Sequence, residues 1–296
     1  MAYLVSMKIS LRFVASLTLF SLFSFFEADA QIIFDIPDLE EVWDRADKEG
    51  QFLGKYLTGV VLEDEFDFFE MASVEVLSNG LTQWELSLAA SDAKGLSVYF
   101  NDFHIPVGGK LFLETPEGAF ETIFQEGPVD ASENNDHGRW VSGDIPGDVV
   151  KVVYRQSSSI VGEARLGIMG VGYYFRGVTR GGSSDPCEVD VMCPEGDSWQ
   201  CERDAAVRLT ITQNGGIYFC SGAMVNNTDK DCRQLLLTAF HCADAVSTSE
   251  WAYFKVRFNF EYLECGGTIS VNSHNRTGVI ELSNSDDSST QGFSGS

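Results

Sequence analysis

The residues best suited to chemistry in this chain are Leu236-Leu237-Thr238-Ala239-Phe240-His241-Cys242, an apolar run of strand length ending in a histidine followed at once by a cysteine. A second cysteine, Cys220, lies 22 residues before Cys242 on another strand-like run. Were the two bridged, the backbone beside His241 would be pinned to the upstream strand. An imidazole held in that way suits a general base that activates a nucleophile. Taken alone, a histidine ending a core strand beside a structural cysteine needs no catalytic role. The other histidines carry less: His104 and His137 lie in the first half, His274 in a turn between strands, and surface or turn roles suffice for all three.

All seven cysteines lie between Cys187 and Cys265. Their spacings contain no Cys-x-x-Cys pair and only His241 lies among them, so disulfides confined to one region fit better than a metal site. No metal and no organic cofactor is implied. The N-terminus reads as an export signal, with Lys8 and Arg12 ahead of an apolar stretch from Phe13 to Phe26 and a small-x-small cleavage site ending at Ala30. The stretch is too short for a membrane span. The expected protein is therefore secreted (or periplasmic or at the cell surface), without stable membrane association once the signal is removed. The formal charge of −24 repels phosphate and excludes nucleic acid as a natural partner. It is compatible with basic peptide substrates.

The elements that would position these residues are mostly strands. Gln31 to about Gly80 is acidic and mixed, with a short amphipathic helix over Leu39 to Gly50. From Leu81 onward, Trp84, Leu86 and Leu88 alternate with polar residues, and Leu96, Val98 and Phe100 do likewise. Lys110–Thr115, Ala119–Phe124, Val149–Arg155 and Arg165–Phe175 are further strand candidates, which together predict a β-sandwich. Trp84 and Trp140 give loose support for a carbohydrate- or surface-binding sandwich and are more simply core residues. A glycine-rich stretch, 177–186, forms a seam, and Arg180-Gly181 within it is a plausible processing site. Beyond it come six strand candidates: Val207–Thr212, Tyr218–Asn226, Gln234–Ala239, Ala252–Phe260, Gly267–Val271 and Gly278–Ser283. The sequons at Asn226 and Asn275 matter only in a eukaryotic source.

The segment ending in His241-Cys242 resembles the histidine region of chymotrypsin-like serine proteases. Cys187-Glu188-Val189-Asp190-Val191-Met192-Cys193-Pro194-Glu195-Gly196-Asp197 resembles the opening of the bacterial lysyl endopeptidase branch, and Ser221-Gly222-Ala223-Met224-Val225-Asn226-Asn227-Thr228 its next strand and loop. The resemblance spans Cys187 to about Cys265, and its three blocks stand in the family's order. It implies an all-β chain: a signal (1–30), a β-sandwich-like pro-region (31–176), the seam (177–186) and the first six-stranded barrel of a trypsin-like peptidase domain (187–296).

By the same resemblance His241 is the general base of a Ser-His-Asp triad acting on protein or peptide substrates, with a preference for Lys or another basic residue. It further implies Cys220–Cys242 and Cys193–Cys265 bridges. Cys201 and Cys232 are additional to the family pattern and pair by elimination, which leaves Cys187 unpaired. Asp286 or Asp287 falls where the orienting acid belongs, although Ser288-Ser289-Thr290 follows in place of an apolar strand. Gly292-Phe293-Ser294-Gly295-Ser296 imitates a nucleophile motif, but it ends a polar Asn/Asp/Ser loop, so Ser294 reads as loop. Only 55 residues follow His241, and a second barrel needs roughly 60 or more. The sequence is thus expected to be truncated and inactive by itself. The competing expectation is a secreted non-catalytic binding protein or pseudoprotease.

Overall fold

The computed structural model describes residues 30–53, 56–116, 125–178, 188–267 and 274–284. Before the seam lie strands β1 (Gln31–Ile33), β2 (Tyr56–Asp67), β3 (Ser73–Val76), β4 (Leu81–Ala89), β5 (Gly95–His104), β6 (Lys110–Glu114), β7 (Gln125–Val129), β8 (Trp140–Val141), β9 (Ile145–Pro146), β10 (Val149–Ser157) and β11 (Arg165–Tyr174). Helices α1 (Leu39–Leu53) and α2 (Phe68–Met71) interrupt them. After the seam come α3 (Gln200–Ala205), β12 (Ala206–Gln213), β13 (Gly216–Val225), β14 (Leu235–Thr238), α4 (Phe240–Ala243), β15 (Lys255–Phe258) and β16 (His274–Thr277). The fold is all-β and contains a nearly closed barrel sheet.

Helix α1 forms where Asp38 accepts hydrogen bonds from the amides of Glu40 (2.9 Å) and Glu41 (3.3 Å), which satisfies donors that the first turn leaves free. Val42 and Ala46, one helical turn apart, are buried on one face of it. In the first sheet the order is β1-β4-β10-β6-β7, with β3 also on β4. Its inward residues, among them Leu86, Leu88, Leu111, Leu113, Val150 and Val152, pack against Leu96, Val98, Phe100 and Ile168 of the second sheet. That facing pair is the sandwich the alternation predicts. Trp140 is core, stacked on Phe103 at 4.9 Å between centroids, and Trp84 packs edge-on against Phe69 at 5.5 Å.

The second sheet does not stop at the seam. Its order is β16-β15-β12-β13-β2-β11-β5-β8, so β13 pairs with β2 from the far side of 177–186. One edge of β13 belongs to β12; the other is shared, Gly216–Phe219 pairing with β2 and Gly222–Val225 with β14. Consequently β5 is buried on both faces: Leu96, Val98 and Phe100 face the sandwich core, and Tyr99 faces a second cluster with Val141, Tyr174, Ile217 and Tyr253. Strand β2 lies in the stretch expected to be merely acidic and mixed. Its acidic end hides the pattern, whereas Leu57–Val60 are buried as a continuous run because partners cover both faces.

Two strand expectations change. Residues 278–283 form no strand; the strand beside β15 is β16, which makes His274 an edge-strand residue rather than a turn residue. Ala119–Phe124 and most of Gly267–Val271 lie outside the described residues. Ile217 is fully buried between elements from both sides of the seam. Ile217→Ala is expected to cost about 2–5 kcal/mol, and to lower the single urea transition of the whole chain rather than create a second one.

Candidate functional site

Strand β14 ends where Thr238 Oγ1 donates to the Ser221 carbonyl at 2.8 Å, closing the β13–β14 ladder. Ala239 stays extended (φ −73°, ψ 144°), and the chain then turns into α4, with the Cys242 amide donating to the Ala239 carbonyl at 3.0 Å. Successive helical residues point about 100° apart, so this one turn sends its neighbours to opposite environments. Cys242, only 4% exposed, enters the barrel core with Val207, Leu209, Ile211, Phe254 and Val256, while His241 faces solvent. Cys242 is bridged to Cys220 on β13. The tether therefore sits one residue from the imidazole, at the rim of the barrel.

The ligand atoms of Cys220, His241 and Cys242 lie within 4.8 Å of one another. Both sulfurs are spent in the disulfide, so no thiolate remains for an ion and the trio is a positioning device. Two apolar residues on the approach to it are exposed, Leu237 (63%) and Phe240. Among the described residues, no hydroxyl or carboxylate is hydrogen-bonded to His241. Asp286, Asp287 and Ser294 lie outside the described residues, as do Arg180 and Cys187. Ala30 is described: its carbonyl accepts the Ser87 amide at 2.9 Å beside β1.

The second bridge joins Cys193 to Cys265, 72 residues apart. Asp190 braces both ends, its carbonyl accepting the Cys193 amide (2.9 Å) and its carboxylate the Gly266 amide (3.1 Å). The expected Cys201–Cys232 bridge is absent. Cys201 lies in the first turn of α3 and Cys232 in the loop before β14 at φ +62°, and each is a free, exposed thiol.

A second cluster escaped the sequence reading. Asp144, from the loop between β8 and β9, is buried against Arg208 on β12 and Lys255 on β15. Its Oδ1 accepts from Lys255 Nζ (2.5 Å) and Tyr174 Oη (2.6 Å), and its Oδ2 from Arg208. Burial opposes its charge, yet Lys255 and then Arg208 outweigh burial and hold the carboxyl well below the ordinary carboxylate range. The alternation Lys255-Val256-Arg257 was the available signal. It reads as a solvated strand face unless something covers that face.

Residues 177–291 match the family model described as Lysyl endopeptidase, C-terminal domain. The lysyl endopeptidase of Pseudomonas aeruginosa is 27% identical over 166 residues, covering 52% of this chain and 35% of its own length. The chain thus spans about a third of the length of that relative. No solved structure matches it. The chain is lysyl endopeptidase-like.

Two outcomes follow from the cysteine arrangement. In the native protein an alkylating reagent should modify Cys201 and Cys232 and spare Cys193, Cys220, Cys242 and Cys265, as read by peptide mapping. Removing the 22-residue loop closure with Cys220→Ala and Cys242→Ala should cost roughly 3 kcal/mol in denaturant unfolding.

Proposed function

We propose that this chain is the precursor of a secreted serine endopeptidase and carries the barrel that supplies its general base, His241. The observation that carries the reading is the placement of His241: exposed at the barrel rim, one residue from a buried, disulfide-tethered cysteine. In this reading the imidazole accepts the proton of a serine hydroxyl as it attacks a peptide carbonyl. It then returns that proton to the leaving amine, so one group serves as base and acid in turn. The tether limits how far the ring can drift from the attacking oxygen, and such positioning is worth orders of magnitude in rate.

The remaining parts belong to the same proposal. Residues 1–30 are an export signal cut after Ala30, 31–176 a pro-region, and Arg180 a processing point. Asp286 or Asp287 is the candidate orienting acid. Cleavage after Lys is proposed because the matched relative is named a lysyl endopeptidase, and a net charge of −24 favours the approach of basic peptides. The exposed Leu237 and Phe240, just before His241 in the chain, belong to the surface against which a second barrel bearing the nucleophile would pack.

The test begins with the transcript beyond the Ser296 codon and the polypeptide it encodes. For that product, His241→Ala should lower kcat/KM on a lysine-containing peptide at least about 10⁴-fold while leaving the unfolding midpoint in place. Equal rates would reject His241 as the base. Residues 31–296 alone are expected to show no cleavage sensitive to a serine reagent; robust cleavage would overturn that, and a stop codon after Ser296 would favour the binding-protein reading.

A further inference from the structure

The barrel strands carry three cations on a single dry face. Arg208 on β12 stands directly opposite Arg257 on β15, and Lys255 stands opposite Thr210 in the adjoining register. None is more than 7% exposed. Facing like charges repel, and buried cations must be paired or surrounded by acceptors. The barrel supplies part of what they need through aromatic faces: Arg208 lies 4.2 Å from the ring centroids of both Phe219 and Phe260, and Arg257 lies 4.9 Å from Phe260.

The carboxylate that pairs with Arg208 and Lys255 comes from across the seam. Asp144 takes Lys255, Arg208 and Tyr174 as described, and Lys255 Nζ also reaches the Ser142 carbonyl (3.2 Å) and Tyr174 Oη (3.1 Å). Arg208 donates to the Val178 carbonyl at 3.0 Å. A second carboxylate, Glu126 on β7, enters the same region. It accepts from the Gly143 amide and from the Asn275 side chain on β16, and it is influenced by Lys255 and by Asp144. A Cβ at position 143 would stand 2.6 Å from the Asn275 amide nitrogen and 2.8 Å from Glu126 Oε2, so a side chain there would push both groups aside.

We propose that Glu126 and Asp144, seated among Arg208, Lys255 and Arg257, form a pH-gated latch that holds residues 30–178 on the barrel under mildly acidic conditions and loosens as the pH rises through neutrality. The latch is independent of any catalytic role for His241. Burial raises the Glu126 carboxyl from 4.5 to about 7, against the Gly143 hydrogen bond and the Lys255 charge. The closed state therefore binds a proton that the opened, solvated state releases between those two values. Closure is favoured below about pH 4.5, and the advantage disappears as the pH passes 7. The other groups act outside this window or against it. Asp144, depressed, loses its contribution only at strongly acid pH; Lys255, lowered by burial, and Arg257, lowered to about 10, act from the alkaline side with the opposite sign.

Hydrogen exchange on the full chain tests this, corrected for the intrinsic pH dependence of exchange. Between pH 5.5 and 8 the opening constant of the β2–β13 amides should rise roughly 30-fold, out of a full range of about 300-fold set by the Glu126 shift. Amides of the β4–β10 ladder, which lies wholly within the first sheet and pairs with nothing beyond the seam, should show no such rise. Glu126→Gln keeps an acceptor for Gly143 and should flatten the profile, and Asp144→Asn should open the β2–β13 ladder at both pH values. A flat wild-type profile, an equal slope in β4–β10, or an unchanged slope in Glu126→Gln would overturn the latch. If Glu126→Gln does not fold, the glutamate carboxyl signal of the wild-type protein decides: titration of Glu126 near 7 supports the proposal and titration below 5 refutes it.

Discussion

Asp144 sets a constraint that most of the arrangement obeys. Its two oxygens engage Lys255, Arg208 and Tyr174, groups on β15, β12 and β11, so one buried carboxylate joins strands from both sides of the seam. A buried ion pair contributes little net stability against a well-packed apolar substitute, because both charges must leave water. Removing one partner is another matter, since it leaves uncompensated charge and costs about 3–5 kcal/mol. The cluster therefore acts mainly through specificity. The buried residues of the β2–β13 ladder set its register, and Asp144 between Arg208 and Lys255 adds a charge match to the same docking.

The same logic of fixing a group through its neighbour governs His241. Nothing hydrogen-bonds the imidazole among the described residues, so its position comes from the backbone: an extended Ala239, one helical turn and a buried, bridged Cys242. Thr238 anchors the approach to that turn by bonding to Ser221 on the neighbouring strand. The site is built on strand ends rather than on a long loop, which gives greater precision for the same number of residues.

The sequence made the sandwich strands legible because period-2 alternation survives wherever one face is buried and the other is not. Leu86 and Leu88 on β4 show it, as do the strands around Val152 and Ile168. Legibility failed where both faces are covered. Strand β2 buries Leu57 to Val60 in succession and then turns acidic, so its two halves cancel in any windowed pattern. On β12, Arg208, Thr210 and Thr212 alternate with Val207, Leu209 and Ile211 and imply a wet face, yet the structure buries both sets. No local rule reports that a segment more than 60 residues upstream supplies the cover. The cysteines show the same limit. The two bridges that match the resemblance are present, whereas the pairing reached by elimination is not, because leftover cysteines on separate exposed elements have nothing to bring them together.

These features bear on the order in which the chain can reach this state. The β12–β13 hairpin is local, but the face it shares with β15 holds Arg208 and Lys255, whose carboxylate partner Asp144 arrives only with the β8–β9 loop. The pairing of Gly216 with Val60 closes more than 150 residues of chain, a contact whose entropy cost must be met before it yields any gain. The first sheet pairs with no strand beyond the seam, and among the described residues its core with Leu88, Leu113 and Val152 takes only Tyr218 from there. The physically economical sequence is therefore sandwich first, with Asp144 and the free edge of β2 presented together, and barrel second, assembled against them. On that order the N-terminal half acts as the template that makes a cation-lined strand face tolerable.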